Sequence, residues 1–335
     1  MKTRLGLLGL KGHQVVVLEG AKRLGDVEVV GIADADARAA ETVKKRYPFA
    51  RDAQVFADWR RLLDHSVLDV CCVCDENGAR AEQLLALAKL GVHVVSEKPL
   101  TTTLPDLARV RAALAKAKGR LTMLLTMRHE AKYPEMRRLV KEGVIGEPCQ
   151  VSAQKSYQLH TRPEWFRSHK RLGGIIPYIG IHPIDLMRWV TGLGYTHVAG
   201  FQGKHGKRGL MGETESHAVL ALRLSNGGSA SVRLDYLRPE TAPSHGDDRL
   251  RIAGTEGVLE AVEGRRNLTL VTTKAKPHEI EPKPVANLFV AFMEAVRAGK
   301  EPPISAQECL YATEVVLKAR EAAEGGKLVA LGEKG

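Results

Sequence analysis

Residues able to bind or move charge recur at one kind of place in this sequence, just beyond an apolar run. Lys11, Gly12 and His13 follow "RLGLLGL"; Asp34 follows "VEVVGIA"; Asp75, Glu76 and Asn77 follow "LDVCCVC". Glu97 and Lys98 close "VHVVS", and Arg128, His129 and Glu130 follow "LTMLLTM". In an open parallel sheet, ligands bind outside the carboxyl ends of the strands, where loops meet helix N-termini. The turn Gly9-Leu10-Lys11-Gly12-His13-Gln14 is then the expected phosphate cradle, although Lys11 and Gln14 stand where a GxGxxG fingerprint has its second and third glycines. Gly12 restores part of the close backbone approach. The Lys11 ammonium either pairs with a phosphate or is a solvated side chain on a tight turn. Asp34 stands where a carboxylate reads a ribose 2′-hydroxyl and repels an added phosphate, so NAD is expected rather than NADP. Asp36 reads as the N-cap of the next helix.

The elements that must hold these residues alternate. Between residue 4 and about residue 126, short apolar strands and helical patterns succeed one another, the rhythm of a parallel sheet. The helix after Cys74 has Asn77 as its expected N-cap, Ala81, Leu84, Leu85 and Ala88 on one face, and Gly91 past its end. Thr103-Leu104-Pro105-Asp106 resembles a capping box before the stripe Leu107, Val110 and Leu114. Pro99 stops the strand before it. Glu97 and Lys98 therefore mark a ligand-facing strand end, where neither ion need be buried.

After "MRRLVKEGVIGEP" the texture changes. Strand patterns at 149–158, 214–224, 228–237, 249–254 and 257–262 follow one another with turns such as Asn226-Gly227-Gly228 between them, which implies a mostly antiparallel sheet. Helical patterns at 178–191, 285–298 and 305–323 make this half α+β. The expected division is residues 1–126, a parallel dinucleotide-binding domain, and residues 127–335, an α+β domain with an open, mostly antiparallel sheet. Within "GGIIPYIGIHPIDLMRW", Pro183 falls at an expected first helical position, His182 at the cap, and Asp185 where an acid can reach back to the cap. His182 is either a satisfied cap or a site residue; Gly173, Gly174 and Gly180 around it point to close approach by something else.

The chain has 335 residues and a formal net charge of +11, which fits either solubility or anionic partners such as phosphates and carboxylates. Basic pairs, among them Lys44-Lys45 and Lys207-Arg208, are scattered and not interleaved with aromatics, so nucleic acid is not expected. No apolar stretch reaches the roughly 18 to 20 residues of a membrane span. The start "MKTRLGLLGL" leads into "KGHQ" without a small-residue cleavage site, and a cytoplasmic location is expected. The five cysteines have neither zinc-site spacing nor an even count, and read as small core hydrophobes; no metal site is expected.

"SEKPL", "EGVIGEP", "GIHPIDL" and "GTEGVLE" stand in order and at the right separations to resemble the Gfo/Idh/MocA family of glucose-fructose oxidoreductase, inositol dehydrogenase and MocA-like proteins, over nearly the whole chain. The resemblance implies a Rossmann domain, a second domain that often mediates oligomers, here a homodimer or homotetramer, and NAD(P)-dependent oxidation or reduction of a sugar, inositol or sugar acid. It also implies catalytic roles for Lys98 and His182. Where the family has a catalytic aspartate four residues before the histidine, this sequence has Tyr178; Asp75-Glu76-Asn77 replaces a common Thr-Pro-Asn, and Arg80 a frequent histidine.

Oxidising an alcohol needs a base with a pKa near the working pH. A free lysine lies near 10.4 and would need a shift of about 3 units, whereas a histidine near 6.5 needs almost none. His182 is therefore the expected proton acceptor, with Lys98 charged and polarising the substrate oxygen, and Tyr178 hydrogen-bonding or relaying. Expected substrate contacts are Arg128, His129 and Asp185, together with Tyr157, His160, Arg162 and Trp165 from "KSYQLHTRPEWF"; Tyr236, Arg238 and His245 are further candidates. Arginine suits a carboxylate or phosphate, so an anionic small-molecule substrate is one option. Two rival classes share the fold: an enzyme that retains its NAD and oxidises the sugar only transiently, and a non-catalytic ligand sensor.

Overall fold

The computed structural model describes residues 2–206 and 211–332; the pair Lys207-Arg208 lies outside them. The chain divides into two compact units, Met1–Leu124 with Ala286–Leu310, and Leu125–Val285 with Tyr311–Gly335. A single cut near residue 126 therefore misses one return of the chain. The reason lies in Asn287, which caps the helix Leu288–Arg297 by accepting from the Phe289 and Val290 N–H groups and donates its amide to the Val16 carbonyl.

In the first unit the order is β1 (Thr3–Leu8), α1 (Gln14–Leu24), β2 (Val27–Ala33), α2 (Ala37–Arg46), β3 (Gln54–Phe56), α3 (Trp59–His65), β4 (Val70–Val73), α4 (Arg80–Leu90), β5 (His93–Ser96), α5 (Leu104–Leu114) and β6 (Leu121–Met123). The strands form a six-stranded parallel sheet in the order β3-β2-β1-β4-β5-β6. Its centre is dry: Leu5, Leu7, Leu8 and all of β4 are fully buried, as expected of strands covered on both faces. The order reverses between β1 and β4, so the turn after β1 and the loop after β4 border the switch point. Asp36 caps α2 and Thr103 caps α5 as the sequence indicates. Asn77 does not cap α4. It opens a 3₁₀ turn, Asn77–Ala79, and its side chain accepts from Arg80 instead.

The second unit holds α6 (Lys132–Lys141), β7 (Pro148–Gln158), α7 (His169–Leu172), α8 (Ile181–Thr191), β8 (Tyr195–Gly203), β9 (His217–Leu224), β10 (Ser229–Arg238), β11 (Arg249–Gly254), β12 (Gly257–Val262), β13 (Leu268–Thr272), β14 (Ala275–Ile280) and β15 (Val329–Ala330). Its nine-stranded sheet runs β14-β13-β12-β11-β7-β10-β9-β8-β15, antiparallel except where β7 meets β10. Alternation sets the faces: Ala218, Leu220, Leu222 and Leu224 of β9 are buried, while Val219 between them is exposed. The helix Leu288–Arg297 is α9 and Ala306–Gly325 is α10.

In the second unit, strands β8, β13, β14 and the two-residue β15 escape the sequence reading. β14, "AKPHEI", is largely exposed and carries a proline, so it has no apolar signal to detect. Among the cysteines, Cys149 is exposed rather than part of a core; it sits near the start of β7 on the outward side. Among the described residues, no helix is long and apolar enough to cross a membrane.

Candidate active site

In the first unit the turn after β1 is bound to its surroundings atom by atom. Gly9 has φ +78°, a conformation glycine adopts without strain, and a Cβ there would lie 2.5 Å from the Asp75 Cα. The Lys11 N–H donates to the Cys74 carbonyl at 2.8 Å. The Leu10 N–H donates to Asp34, the Gly12 N–H to Gln14 and the His13 N–H to Glu97, at 2.7, 3.0 and 2.5 Å. Gln14 also donates to the Leu10 carbonyl. It clasps the turn where the fingerprint glycine would leave open space.

The Lys11 ammonium is held by Asp75 at 2.7 Å and Glu76 at 3.6 Å. Burial opposes the Asp75 charge, but Lys11, the Glu76 N–H and Gln83 outweigh it and hold the carboxyl below its usual range. The ammonium thus serves the loop after β4. Arg80, 1% exposed, donates to the Asp75 carbonyl, to Asn77 and to the Pro99 carbonyl, which ties that loop to the segment after β5.

Glu97 and Lys98 are both 4% exposed, which corrects the expectation that a strand-end ion pair stays wet. Partners make the burial tolerable. The Glu97 carboxylate accepts from the His13 N–H, from His13 Nδ1 at 2.5 Å and from the Lys98 N–H at 2.9 Å. Burial works against its charge, yet His13, Lys98 and Arg80 together hold it well below the usual carboxylate range. A Cβ at Gly12 would lie 2.6 Å from the Glu97 Cγ, so the glycine makes room for this acid.

A dinucleotide fits this arrangement in two respects. α1 starts at Gln14 with no acidic residue in its first turn, and Asp34 sits 7% exposed at the end of β2. Helix N-termini leave unbonded N–H groups suited to phosphate. Asp34 already accepts from Leu10 and Asp36, and a carboxylate has further lone pairs for a ribose hydroxyl.

In the second unit, the segment before α8 is one turn of π-helix, Ile176–Gly180, carrying Tyr178. The α-helix starts at Ile181. His182 is therefore its second residue and Pro183 its third, so neither His182 as cap nor Pro183 at the first position holds; the helical dihedrals already established through the π turn move the start upstream. Pi turns inserted in helices are frequent at functional sites. His182 is 6% exposed. Tyr178 is half-buried, edge-on to Phe166 at 5.4 Å and to Trp165 at 6.3 Å, and Trp165 itself is buried.

Asp185 does not reach back to a cap. It binds Arg128 through two parallel bonds, Nε to Oδ2 at 2.8 Å and Nη2 to Oδ1 at 2.6 Å, with both side chains buried. His129 ends the 3₁₀ turn Thr126–His129 next to it. At the end of β7, Tyr157 stacks on His245, and His160 stacks on that ring as well. The Lys155 ammonium lies buried against Asp248 and stays charged, because Tyr157 and Asp248 outweigh the effect of burial.

The sequence alone does not single out Glu215 or His169. Glu215, 5% exposed, accepts from His169 Nε2 at 2.7 Å and from the Ile175 N–H at 3.3 Å, and Arg320 donates to the Gly173 carbonyl. These bonds fix the backbone that leads into Tyr178. Gly173 and Gly174 have φ of +95° and +92°, so the glycine pair is the one trace of this arrangement in the sequence.

An open parallel sheet with a glycine turn at its switch point in one unit and an open mixed sheet in the other define a two-unit oxidoreductase architecture. The chain belongs to the Gfo/Idh/MocA family. Residues 4–125 match the model described as oxidoreductase family, NAD-binding Rossmann fold, and residues 133–260 match the GFO/IDH/MocA C-terminal domain. It is accordingly an oxidoreductase of the dehydrogenase or reductase kind with an NAD-binding domain. Myo-inositol 2-dehydrogenase of Thermotoga maritima is 22% identical over 342 residues, covering 98% of this chain and 99% of that one. Among solved structures, a "putative oxidoreductase from Thermotoga maritima" is 29% identical with a TM-score of 0.92, covering 98% of this chain and all of the other. An oxidoreductase from Agrobacterium radiobacter in complex with NAD+, L-tartaric acid and magnesium shares the fold at 17% identity and a TM-score of 0.84, covering 98% of each chain.

Proposed function

We propose that this protein oxidises a secondary alcohol of a sugar, inositol or sugar-acid derivative, with NAD preferred over NADP. The observation that carries the cofactor preference is Asp34, a buried carboxylate anchored by the Leu10 and Asp36 N–H groups at the end of β2. Fixed there, its negative charge suits a ribose hydroxyl and repels a 2′-phosphate. The N-terminus of α1, with the turn at Gly9 to His13, would hold the pyrophosphate, and Asp75 and Asn77 would border it. When bound, NAD supplies the hydride acceptor.

His182 takes the hydroxyl proton as base, since imidazole needs little change from its ordinary pKa to do so. Lys98 orients and polarises the same oxygen. Glu97 supports Lys98 from the preceding position, because its carboxylate accepts from the Lys98 N–H and grips the cofactor turn at His13. Tyr178, on the π turn four residues before His182, contributes a hydroxyl where a carboxylate would otherwise charge the site. NADH absorbance, followed with a panel of inositols, aldoses and sugar acids, tests the reading. Turnover with NAD at least about tenfold better than with NADP is expected for one of them; no reduction of either nucleotide by any member would refute it.

We further propose that copies of the chain associate through the outward face of the nine-stranded sheet. Phe201 is 74% and Val219 45% exposed, they pair across β8 and β9, and Ala199 pairs with Ala221 beside them, a flat apolar strip of the kind that association covers. Sedimentation of the wild type as a dimer or tetramer, and of Phe201→Glu as a smaller species, is expected; a monomeric wild type would contradict it.

A further inference from the structure

The end of β7 and the end of β10 bring together a group of residues that the hydride-transfer chemistry does not use. Arg162 donates from Nε to the Leu159 carbonyl at 2.6 Å and from Nη2 to the Gln158 carbonyl at 3.3 Å. Its guanidinium carbon lies 5.2 Å from the ring centres of both Phe166 and Tyr236. Phe166 stands edge-on to Tyr236 at 5.4 Å on one side and to Tyr178 at 5.4 Å on the other. Arg162 and Tyr236 are thus one phenylalanine ring away from the π turn that carries Tyr178.

Two features mark this group as more than packing. Tyr236 is 1% exposed and its hydroxyl has no hydrogen-bond partner. A phenylalanine would fill the same space without that cost, since a buried hydroxyl left unpaired is unfavourable. Burial, with Tyr178 next in effect, pushes the phenol upward, so it stays a neutral O–H donor. The second feature is His160, the one non-glycine position with positive φ among the described residues, at +50°. Glu240 holds it there, accepting from its N–H at 3.0 Å and from Nδ1 at 2.6 Å, while its ring stacks on His245 at 5.2 Å. Backbone strain of this kind is retained where surrounding structure over-determines it, commonly at ligand-binding positions.

We propose that Tyr236 and Arg162 form a specificity site for a carboxylate on the substrate, away from the carbon that is oxidised, so that the preferred substrate is an acidic sugar or polyol. This rests on the oxidoreductase reading and narrows it. A single negative charge matches the donors present. One guanidinium, with two of its N–H directions already given to carbonyls, and one phenol cannot surround a phosphate dianion.

Isothermal titration into the full chain with saturating NAD tests the assignment, using D-glucuronate, D-gluconate and L-tartrate against D-glucose, D-glucitol and threitol. At least one acid is expected to bind about tenfold or more tightly than its neutral counterpart, the size expected of a charge-assisted hydrogen bond. Tyr236→Phe removes only an unpaired hydroxyl. It is expected to fold with an unchanged or higher melting temperature and to lose most of that preference, and Arg162→Gln to lose the rest. A merely structural tyrosine would give the opposite pair of results, a lower melting temperature with the preference intact, and that outcome would overturn the proposal. So would equal binding of acids and neutral sugars by the wild type, or tighter binding of D-glucose 6-phosphate than of any carboxylate. The titration does not depend on turnover, so failure to form NADH with any sugar would strike the oxidoreductase reading separately.

Discussion

Asp185→Ala is expected to destabilise the second unit by roughly 3–5 kcal/mol, the usual consequence of removing one member of a buried ion pair. The side chains of Arg128 and Asp185 are 2% and 4% exposed, and their two short parallel bonds use the fork geometry that arginine and carboxylate share. Arg128 also lies over the Trp189 ring at 5.3 Å, with Arg137 over the same ring at 4.5 Å. Removing Asp185 therefore takes away the carboxylate that both short bonds reach, at an indole that two guanidinium groups share. The double variant Asp185→Ala, Arg128→Met should recover much of the loss, because an apolar replacement for the whole pair carries no stranded charge. Thermal unfolding of the three proteins reads both effects. A loss of less than about 1 kcal/mol, as for exposed pairs, would mean that Arg128 is not held by Asp185 in solution and is open to a substrate.

That pair also measures how far the sequence can be read. Arg128 stands at a strand end and Asp185 near a helix start, two positions where ligand contacts are common, and residue type and local spacing favour a site role for each. Nothing local says that residues 57 positions apart are aimed at one another. The same limit explains Glu97. Its place after an apolar run is legible, but its burial depends on His13, which lies 84 positions earlier and comes alongside only when β1 and β5 take their places in the sheet. Short-range signals survive better: the caps at Asp36 and Thr103 need only two or three residues and are formed as their spacing indicates.

The parallel sheet is legible because its strands are buried on both faces and read as continuous apolar runs separated by helical periods. In the second unit, central strands such as β9 alternate clearly, whereas β14 is largely exposed, shows no such alternation and owes its place to pairing with β13. The start of α8 is misread for a specific reason. Pro183 is usually a first-turn residue, and here it still falls within the first turn, but the π turn at Ile176–Gly180 has already set helical backbone ahead of it. Gln14 gives the converse case. As a departure from a glycine fingerprint it reads as a weakness, and in the structure it closes the turn through bonds to Gly12 and Leu10.

Lys98→Met should have the largest effect on chemistry. Methionine keeps the length and apolar stem of the lysine in a position that is 4% exposed, and removes the cation that we propose polarises the substrate oxygen. The backbone N–H of residue 98 still donates to Glu97, so the bond that links this position to the cofactor turn survives the change. Removing one preorganised donor of this kind typically lowers turnover by roughly 10²–10³-fold. The direct measurement is single-turnover NADH formation by the wild type and Lys98→Met, each saturated with NAD and with the best substrate. The account predicts a slower hydride step by about that factor in a variant that still binds NAD, and equal rates in the two proteins would contradict it.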